Sequence, residues 1–282
     1  MIPAQFDYVR AGSVDEAVSA LTEDAKVLAG GQSLIPLMRL RLAYPDLLVD
    51  VSRVEEMRGI REEGDRLVIG AATTHDEVMR DPLVRTHCPA IAEVTETVAD
   101  PAVRHRGTFG GSLAHADPAG DLPALALALD ATMTVAGPGG RRETPAAEFF
   151  LDYLQSAVGP DEVLVSISVP KLGEGWGHRY EKFNRSAQSW AVVGAVALVQ
   201  RGNGTIDGVR IGLVNVGTTP IRANEVENAL VGGPATEEAV RSAAAAAGVG
   251  TSPSADVHAS PAFRTHLAEV LTRRAVMAAA GI

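Results

Sequence analysis

Two stretches of this sequence set a glycine pair beside a hydroxyl residue. One is "VLAGGQSLIP", Val27 to Pro36, with Gly30, Gly31 and Ser33. The other is "GTFGGSLAHADPAGDLPA", Gly107 to Ala124, with Thr108, Gly110 and Gly111. Neither places a Lys after its last glycine as a Walker A loop does, and neither spaces its glycines as G-x-G-x-x-G. Alone, each is compatible with a plain tight turn, where glycine relieves the steric cost of positive φ. As a pair they point to another chemistry. Loop N–H groups bind anions, and two loops in different lobes can close on a ligand with two anionic centres, such as a diphosphate. Asp121, ten residues past Gly111, would then offer a carboxylate to ribose hydroxyls, cap the apolar helix that follows it, or do both.

Other chemistries find little support. The single cysteine, Cys88, excludes an internal disulfide, an iron–sulfur cluster or a thiolate zinc site within the chain. In "THCPAI" it reads as a packed residue, with a reactive thiol as the alternative. Seven histidines are scattered without metal-ligand spacing, so protein-bound metal is not expected. His75, His105 and His115 form no triad with any recognisable Ser and Asp, and His105 and His115 flank the second glycine segment, where they read as solvated loop residues, with a place near a cofactor as the alternative. Lys plus Arg against Asp plus Glu is 25 − 35 = −10. An acidic chain with no basic stripe argues against nucleic acid, and it means that local backbone donors, not overall charge, must attract an anion.

The elements that would position these residues follow from the patterning. At 282 residues the chain is long enough for two domains of about 100–200 residues. No apolar run approaches the roughly 20 residues of a membrane span. The opening "MIPAQFDYVRAG" lacks a signal-peptide pattern, and the expected location is the cytoplasm. The first fifty residues read strand–helix–strand–helix–strand. In that run "SVDEAVSAL" opens with a capping box, Ser13 to Glu16, and Ser33 stands where "AKVLAGG" gives way to the helix "SLIPLMRLRL". Such a junction favours an anion through free N–H groups and the helix dipole. A second, mixed lobe begins near Asp65. It holds the strand "DRLVIGAAT", a capping box at Thr74 and Glu77, a helix "PAIAEVTETVAD" ending at Pro101, the helix "DLPALALALDA", and the strands "TMTVAG" and "DEVLVSISVP". A third region carries strands near Ala191–Gln200 and Gly208–Gly217 joined through "RGNGTI". Helices then start behind Asn224 as cap, at "TEEAVRSAAAAAGV", and at Ser260 with Pro261 in the first helical position.

The motifs "AGGQSLIP", "VADPAVRHRGTFGGSLAHADPAGDLPALALALDA", "DEVLVSISVP" and "YEKFNRSAQSWAVVGAVA" occur in this order over nearly the whole chain. Together they resemble the FAD-binding medium subunit (flavoprotein) of the molybdenum hydroxylase family, the carbon-monoxide dehydrogenase and xanthine dehydrogenase type. The resemblance implies an α+β fold. A two-lobed FAD-binding domain of the PCMH/vanillyl-alcohol-oxidase type would occupy residues 1–175, with lobes of about 1–55 and 56–175. A C-terminal antiparallel sheet with helices, like the CO dehydrogenase flavoprotein C-terminal domain, would occupy residues 176–282.

It also implies a non-covalent FAD whose pyrophosphate is held by Ala29, Gly30, Gly31, Gln32, Ser33 and Leu34 and by Thr108, Phe109, Gly110, Gly111 and Ser112. Asp121 matches the acidic position on the adenosine side, and Leu164 and Lys182 match positions near the flavin. Trp190 falls either near the isoalloxazine ring or in a strand core. Gln32 replaces the His of many relatives. No residue is implied as a catalytic base. The implied partners are a small subunit with two [2Fe–2S] clusters and a large molybdopterin subunit, assembled as a dimer of heterotrimers. In that arrangement electrons pass from the clusters to the FAD and on to an external acceptor. The alternatives are a stand-alone FAD-dependent oxidoreductase on the same fold and an assembly subunit without flavin; the first lacks a clear proton donor or covalent attachment residue here, and the intact glycine pairs and Asp121 weigh against the second.

Overall fold

The computed structural model describes residues 2–282. The chain opens with β1 (Asp7–Arg10), α1 (Val14–Ala20), β2 (Ala25–Leu28), α2 (Leu34–Arg39) and β3 (Leu47–Asp50). The three strands form a parallel sheet in the order β1–β3–β2. Parallel neighbours need crossovers, and α1 and α2 provide them. At α1 the Ser13 hydroxyl accepts from the Glu16 N–H as the spacing predicts. The Glu16 carboxylate, however, reaches one residue further back and accepts from the Gly12 N–H at 2.7 Å.

The second lobe runs through β4 (Ile60–Glu63), β5 (Arg66–Gly70), α3 (His75–Arg80), α4 (Pro82–His87), α5 (Pro89–Glu96), α6 (Pro101–Arg104), α7 (Phe109–His115) and α8 (Asp121–Ala128). It continues with β6 (Thr132–Gly137), β7 (Gly140–Pro145), α9 (Ala146–Phe149), the short pair β8 (Phe150–Asp152) and β9 (Gln155–Ser156), and β10 (Val163–Pro170). Its main sheet is antiparallel, in the order β4–β5–β10–β6–β7. Thr74 and Glu77 form the reciprocal capping box in full. The helix expected to run to Pro101 instead stops at Glu96. Ala99 turns left-handed at φ 45, and Asp100 caps a new helix whose first residue is Pro101. Pro101 therefore opens a helix where a stop was expected, consistent with proline's fit to the first helical position.

The C-terminal sheet is antiparallel and consecutive: β11 (Trp176–Phe183), β12 (Val193–Arg201), β13 (Ile206–Val214) and β14 (Ile221–Arg222). Helices α10 (Asn224–Leu230), α11 (Glu237–Ala244) and α12 (Pro261–Ala280) follow. Ser260 caps α12 by accepting from the Phe263 N–H. Asn224 is not a cap: it is the first residue of α10, behind Ala223. Strand period decides how this sheet packs. Val196 and Leu198 of β12 join the core of the second lobe, whereas Ala195, Ala197 and Val199 join a separate core with α10, α11 and α12. The sheet is thus covered on both faces, and α8, buried along its whole length, lies between it and α5, α7 and α9 of the second lobe.

The seam is close enough to exclude side chains. A Cβ at Gly212 of β13 would lie 2.2 Å from the Ala124 carbonyl oxygen of α8. Gly212→Ala is therefore expected to destabilise the protein by about 1–3 kcal/mol through overpacking. Gly139→Ala, at a site with nothing within 4 Å, should leave stability unchanged; urea unfolding of the two variants compares them.

Candidate functional site

A cleft of about 490 Å³ opens between the two lobes and is closed on one side by the C-terminal sheet. Its size is that of a small-molecule or cofactor site. One wall is the segment after β2: Ala29, Gly30, Gly31, Gln32, Ser33 and Leu34 all line it. Thr108, Gly111 and Ser112 line it from the second segment, and Asp121, Lys182 and Trp190 complete the set expected from sequence. Phe109, Gly110 and Leu164 are not among the lining residues. Phe109 and Leu164 are buried core side chains, and Gly110 packs on Ala71, where a Cβ would come within 2.4 Å of the alanine Cβ.

The two glycine segments do different work. In the first, Gly31 takes a left-handed φ of 71°, and the chain turns from β2 into α2. The N–H groups of Gly30, Gly31, Gln32, Ser33 and Leu34 donate to no acceptor among the described residues. Five consecutive donors are therefore free in a half-exposed segment that lines the cleft, open to a ligand placed there. Because α2 has only six residues, the donors themselves matter more than its dipole.

The second segment is not a loop. Thr108 is the N-cap of α7, and both glycines lie in its first turn. Their donors are already engaged: Phe109 N–H to Thr73 O at 2.9 Å, Gly110 N–H to Ala71 O at 3.0 Å, and Gly111 N–H to Thr108 Oγ at 3.1 Å. The Thr108 N–H, which donates to no acceptor among the described residues, and the hydroxyls of Thr108 and Ser112 remain as donors there. Gly30 explains how the segments meet. A Cβ on it would fall 2.2 Å from the Arg106 carbonyl oxygen, so the backbones touch. Glycine at positions 30 and 110 is a packing requirement of the protein itself.

Asp121 is the first residue of α8 and caps nothing, since Gly120 is the N-cap. Both its oxygens have partners from β11. The Tyr180 hydroxyl donates to Oδ1 at 2.5 Å, and Lys182 Nζ donates to Oδ2 at 2.8 Å and to the Thr97 carbonyl at 3.1 Å. Burial pushes the Asp121 carboxyl above its ordinary range, opposed by the charge and hydrogen bond of Lys182 and by the bond from Tyr180. Burial, then the neighbouring carboxylate, pushes the Tyr180 phenol well up. The result is a buried clamp from the second lobe to the C-terminal sheet. Tyr180 escaped the sequence reading, although its spacing of two from Lys182 on a strand already placed both side chains on one face.

The remaining candidates sort by burial. Trp190 is 57% exposed at the cleft, so it is not a strand-core aromatic. Cys88 is buried, its thiol pushed up to about 12 by burial; it is an inert packed residue. His105 is exposed and its Nδ1 meets the Pro101 carbonyl at 2.7 Å. His115 is half-buried in the cleft wall rather than solvated, with its pKa lowered by burial against Asp117. His75 also lines the cleft and is 2% exposed. Its Nε2 lies 3.3 Å from Ser112 Oγ, and its Nδ1 has no partner among the described residues. Among the described residues no group of three or more His, Cys, Asp or Glu side chains is placed to hold a metal ion, and no helix is long and apolar enough to cross a membrane.

A two-lobed domain with a donor-lined cleft, completed by a second domain, defines a nucleotide-cofactor protein. Comparison with known proteins specifies which. Residues 4–172 match the FAD binding domain in molybdopterin dehydrogenase, and residues 178–279 match the CO dehydrogenase flavoprotein C-terminal domain. The carbon monoxide dehydrogenase medium chain of Hydrogenophaga pseudoflava is 42% identical over 282 residues, covering 99% of this chain and 98% of that one. The solved carbon monoxide dehydrogenase of that organism, lacking the Mo-pyranopterin moiety of its molybdenum cofactor, superposes with a TM-score of 0.97 at 43% identity, over 99% of this chain and 98% of that one. Quinoline 2-oxidoreductase from Pseudomonas putida 86 gives a TM-score of 0.95 at 35% identity, over 100% of this chain and 99% of that one. The chain belongs to the family of FAD-binding medium subunits of the molybdenum hydroxylases.

Burial makes His75 a pH sensor of stability. Its pKa falls from 6.5 to about 4 on folding, through burial first and the nearby Arg104 charge second. Between those values the unfolded chain binds a proton that the folded chain does not, so stability rises with pH across that window and is lost on acidification. Lowering the pH from 6.5 to 4 should cost wild type about 3 kcal/mol more than His75→Gln. Parallel urea titrations of the two proteins across this range measure the difference.

Proposed function

We propose that this chain is the FAD-carrying electron-transfer subunit of a molybdenum hydroxylase complex. It would take electrons from [2Fe–2S] clusters on a small partner subunit, with a large molybdopterin subunit behind them, and pass them to an external acceptor. The observation that carries this reading is the cleft wall of five free N–H groups at Gly30 to Leu34, which fits a diphosphate in a chain that matches the family over both of its domains. The named functions of the relatives support it: carbon monoxide dehydrogenase and quinoline 2-oxidoreductase.

FAD when bound supplies the redox chemistry, and the protein supplies binding, orientation and electrostatics. In this assignment the segment Ala29 to Leu34 holds the pyrophosphate through backbone donors, joined by the hydroxyls of Thr108 and Ser112. Lys182 brings a cation to the cleft from the C-terminal sheet, held in place by Asp121 and Tyr180. Asp121 therefore acts on the cofactor chiefly through Lys182, because Tyr180 and Lys182 already bond its two oxygens. Exposed Trp190 offers a flat apolar face to the ring system.

The purified chain is expected to carry one FAD, released intact by acid denaturation as a non-covalent cofactor must be. The paired substitution Asp121→Asn with Lys182→Met removes both charges of the clamp and leaves neither buried alone. It should weaken FAD about tenfold or more while the chain stays folded, the scale of a lost hydrogen bond to a charged group. Fluorescence titration with FAD reads both results, and a colourless chain that takes up no FAD overturns the assignment. Co-expression with the neighbouring genes should yield a stable complex containing iron and molybdenum, a dimer of heterotrimers by gel filtration. The interfaces should be those of an obligate assembly, on the order of 2,000 Å² or more. Turnover of an organic substrate by the isolated chain would instead favour a stand-alone flavoenzyme.

A further inference from the structure

We infer that His75 is a positioning residue: through an Nε2–H bond to Ser112 Oγ it turns the Ser112 hydroxyl hydrogen outward, as a donor to phosphate oxygens in the cleft. The inference rests on the assignment of the cleft to FAD. Its starting point is the set of donors already in use. The backbone N–H groups of Phe109, Gly110, Gly111 and Ser112 are bonded to Thr73 O, Ala71 O, Thr108 Oγ and Thr108 O. What this segment offers an anion comes from the Thr108 N–H and from its two hydroxyls.

A hydroxyl can help or hinder an anion, depending on where its hydrogen points. If the Ser112 hydrogen is given to His75, only oxygen lone pairs face the phosphate and they repel it. If Ser112 Oγ accepts from His75, the hydrogen is free to donate. The imidazole decides between these cases because it is neutral: burial and the charge of Arg104 lower its pKa to about 4. A neutral ring has one N–H and one bare nitrogen. Nδ1 is buried and meets no partner among the described residues, while Nε2 is 3.3 Å from Ser112 Oγ. Protonation at Nδ1 would bury an N–H with nothing to accept it, the rarer and costlier kind of unpaired group. Protonation at Nε2 gives the donor its acceptor at Ser112 and leaves only a lone pair unpaired.

Thr108 has the same design. Its Oγ accepts from the Gly111 N–H at 3.1 Å, so its hydrogen is also released. Both hydroxyls are therefore preset as donors by internal bonds to their oxygens. Packing holds the ring in place: a Cβ at Gly107 would come within 3.0 Å of His75 Cδ2, and the His75 backbone N–H is bonded to Gly107 O at 2.9 Å.

Two measurements on the full chain test this. The first is two-bond ¹⁵N–¹H correlation NMR on wild type with ¹⁵N-labelled histidine at neutral pH, with His75 assigned by its absence from His75→Gln. The expected spectrum shows protonation at Nε2; protonation at Nδ1 overturns the inference. The second is FAD affinity by fluorescence titration for Ser112→Ala, His75→Leu, the double variant and His75→Gln, whose amide N–H stands in for Nε2–H. Each of the first two should weaken FAD about tenfold or more, the double should be no weaker than either alone, and His75→Gln should recover most of the loss. Additive losses, or a His75→Gln as weak as His75→Leu, overturn it. If wild type binds no FAD, the functional assignment falls, and the NMR spectrum still decides how His75 and Ser112 are paired.

Discussion

A protein with a formal charge of −10 repels a diphosphate at long range, so attraction has to be supplied at contact, chiefly by neutral dipoles. The architecture around the cleft follows from that constraint. Backbone donors can converge only where the chain leaves regular structure, and the turn from β2 into α2 frees five of them in a row. The turn needs a left-handed Gly31, and its position needs Gly30 flush against the Arg106 carbonyl. The facing segment uses the N–H groups of Phe109 and Gly110 to fix itself to Thr73 and Ala71 and keeps the Thr108 N–H and two hydroxyls for the cleft. One wall is built of N–H groups, the other mainly of O–H groups.

The cation at the site, Lys182, comes from another domain and is buried with its counter-ion. Two charges out of water are tolerable only with close geometry and further hydrogen bonds. The Tyr180 hydroxyl and the Thr97 carbonyl provide them. The clamp thereby ties the cleft to the docking of the C-terminal sheet: displacement of β11 would take both side-chain partners from the Asp121 carboxylate. The cleft is a property of the assembled pair of domains, although most of its lining belongs to one of them.

Much of this was legible in the sequence. Strong periodicity and capping residues located most elements, and the two glycine segments marked the cleft. What the sequence hid was the allocation of hydrogen bonds. Gly-Gly beside a hydroxyl reads alike whether the segment is a turn with free donors or the first turn of a helix whose donors are engaged, because the acceptors, Ala71 and Thr73, lie far away in the chain. Asp121 before an apolar helix reads as a cap, and only the fold brings Tyr180 and Lys182 to it. Asn224 and Pro101 were misplaced by a residue or by the sense of a boundary, since local propensity tolerates either side of a helix end. Gly110 and Leu164 matched their motif positions, yet their contacts are made with the core.

Helix α8 has a consequence for how the protein comes into being. All eight of its residues are buried, and part of that burial is given by β12 and β13, which lie some seventy residues further along the chain. During vectorial synthesis at about 5–20 residues per second, the Ala- and Leu-rich surface of α8 leaves the ribosome seconds before its cover exists. For that interval the nascent chain presents an apolar face that water cannot satisfy and that another nascent chain can. The interval ends only when the sheet that completes the cleft has been made, so this apolar stretch, exposed in transit, is the same one that finally carries Asp121 to its partners.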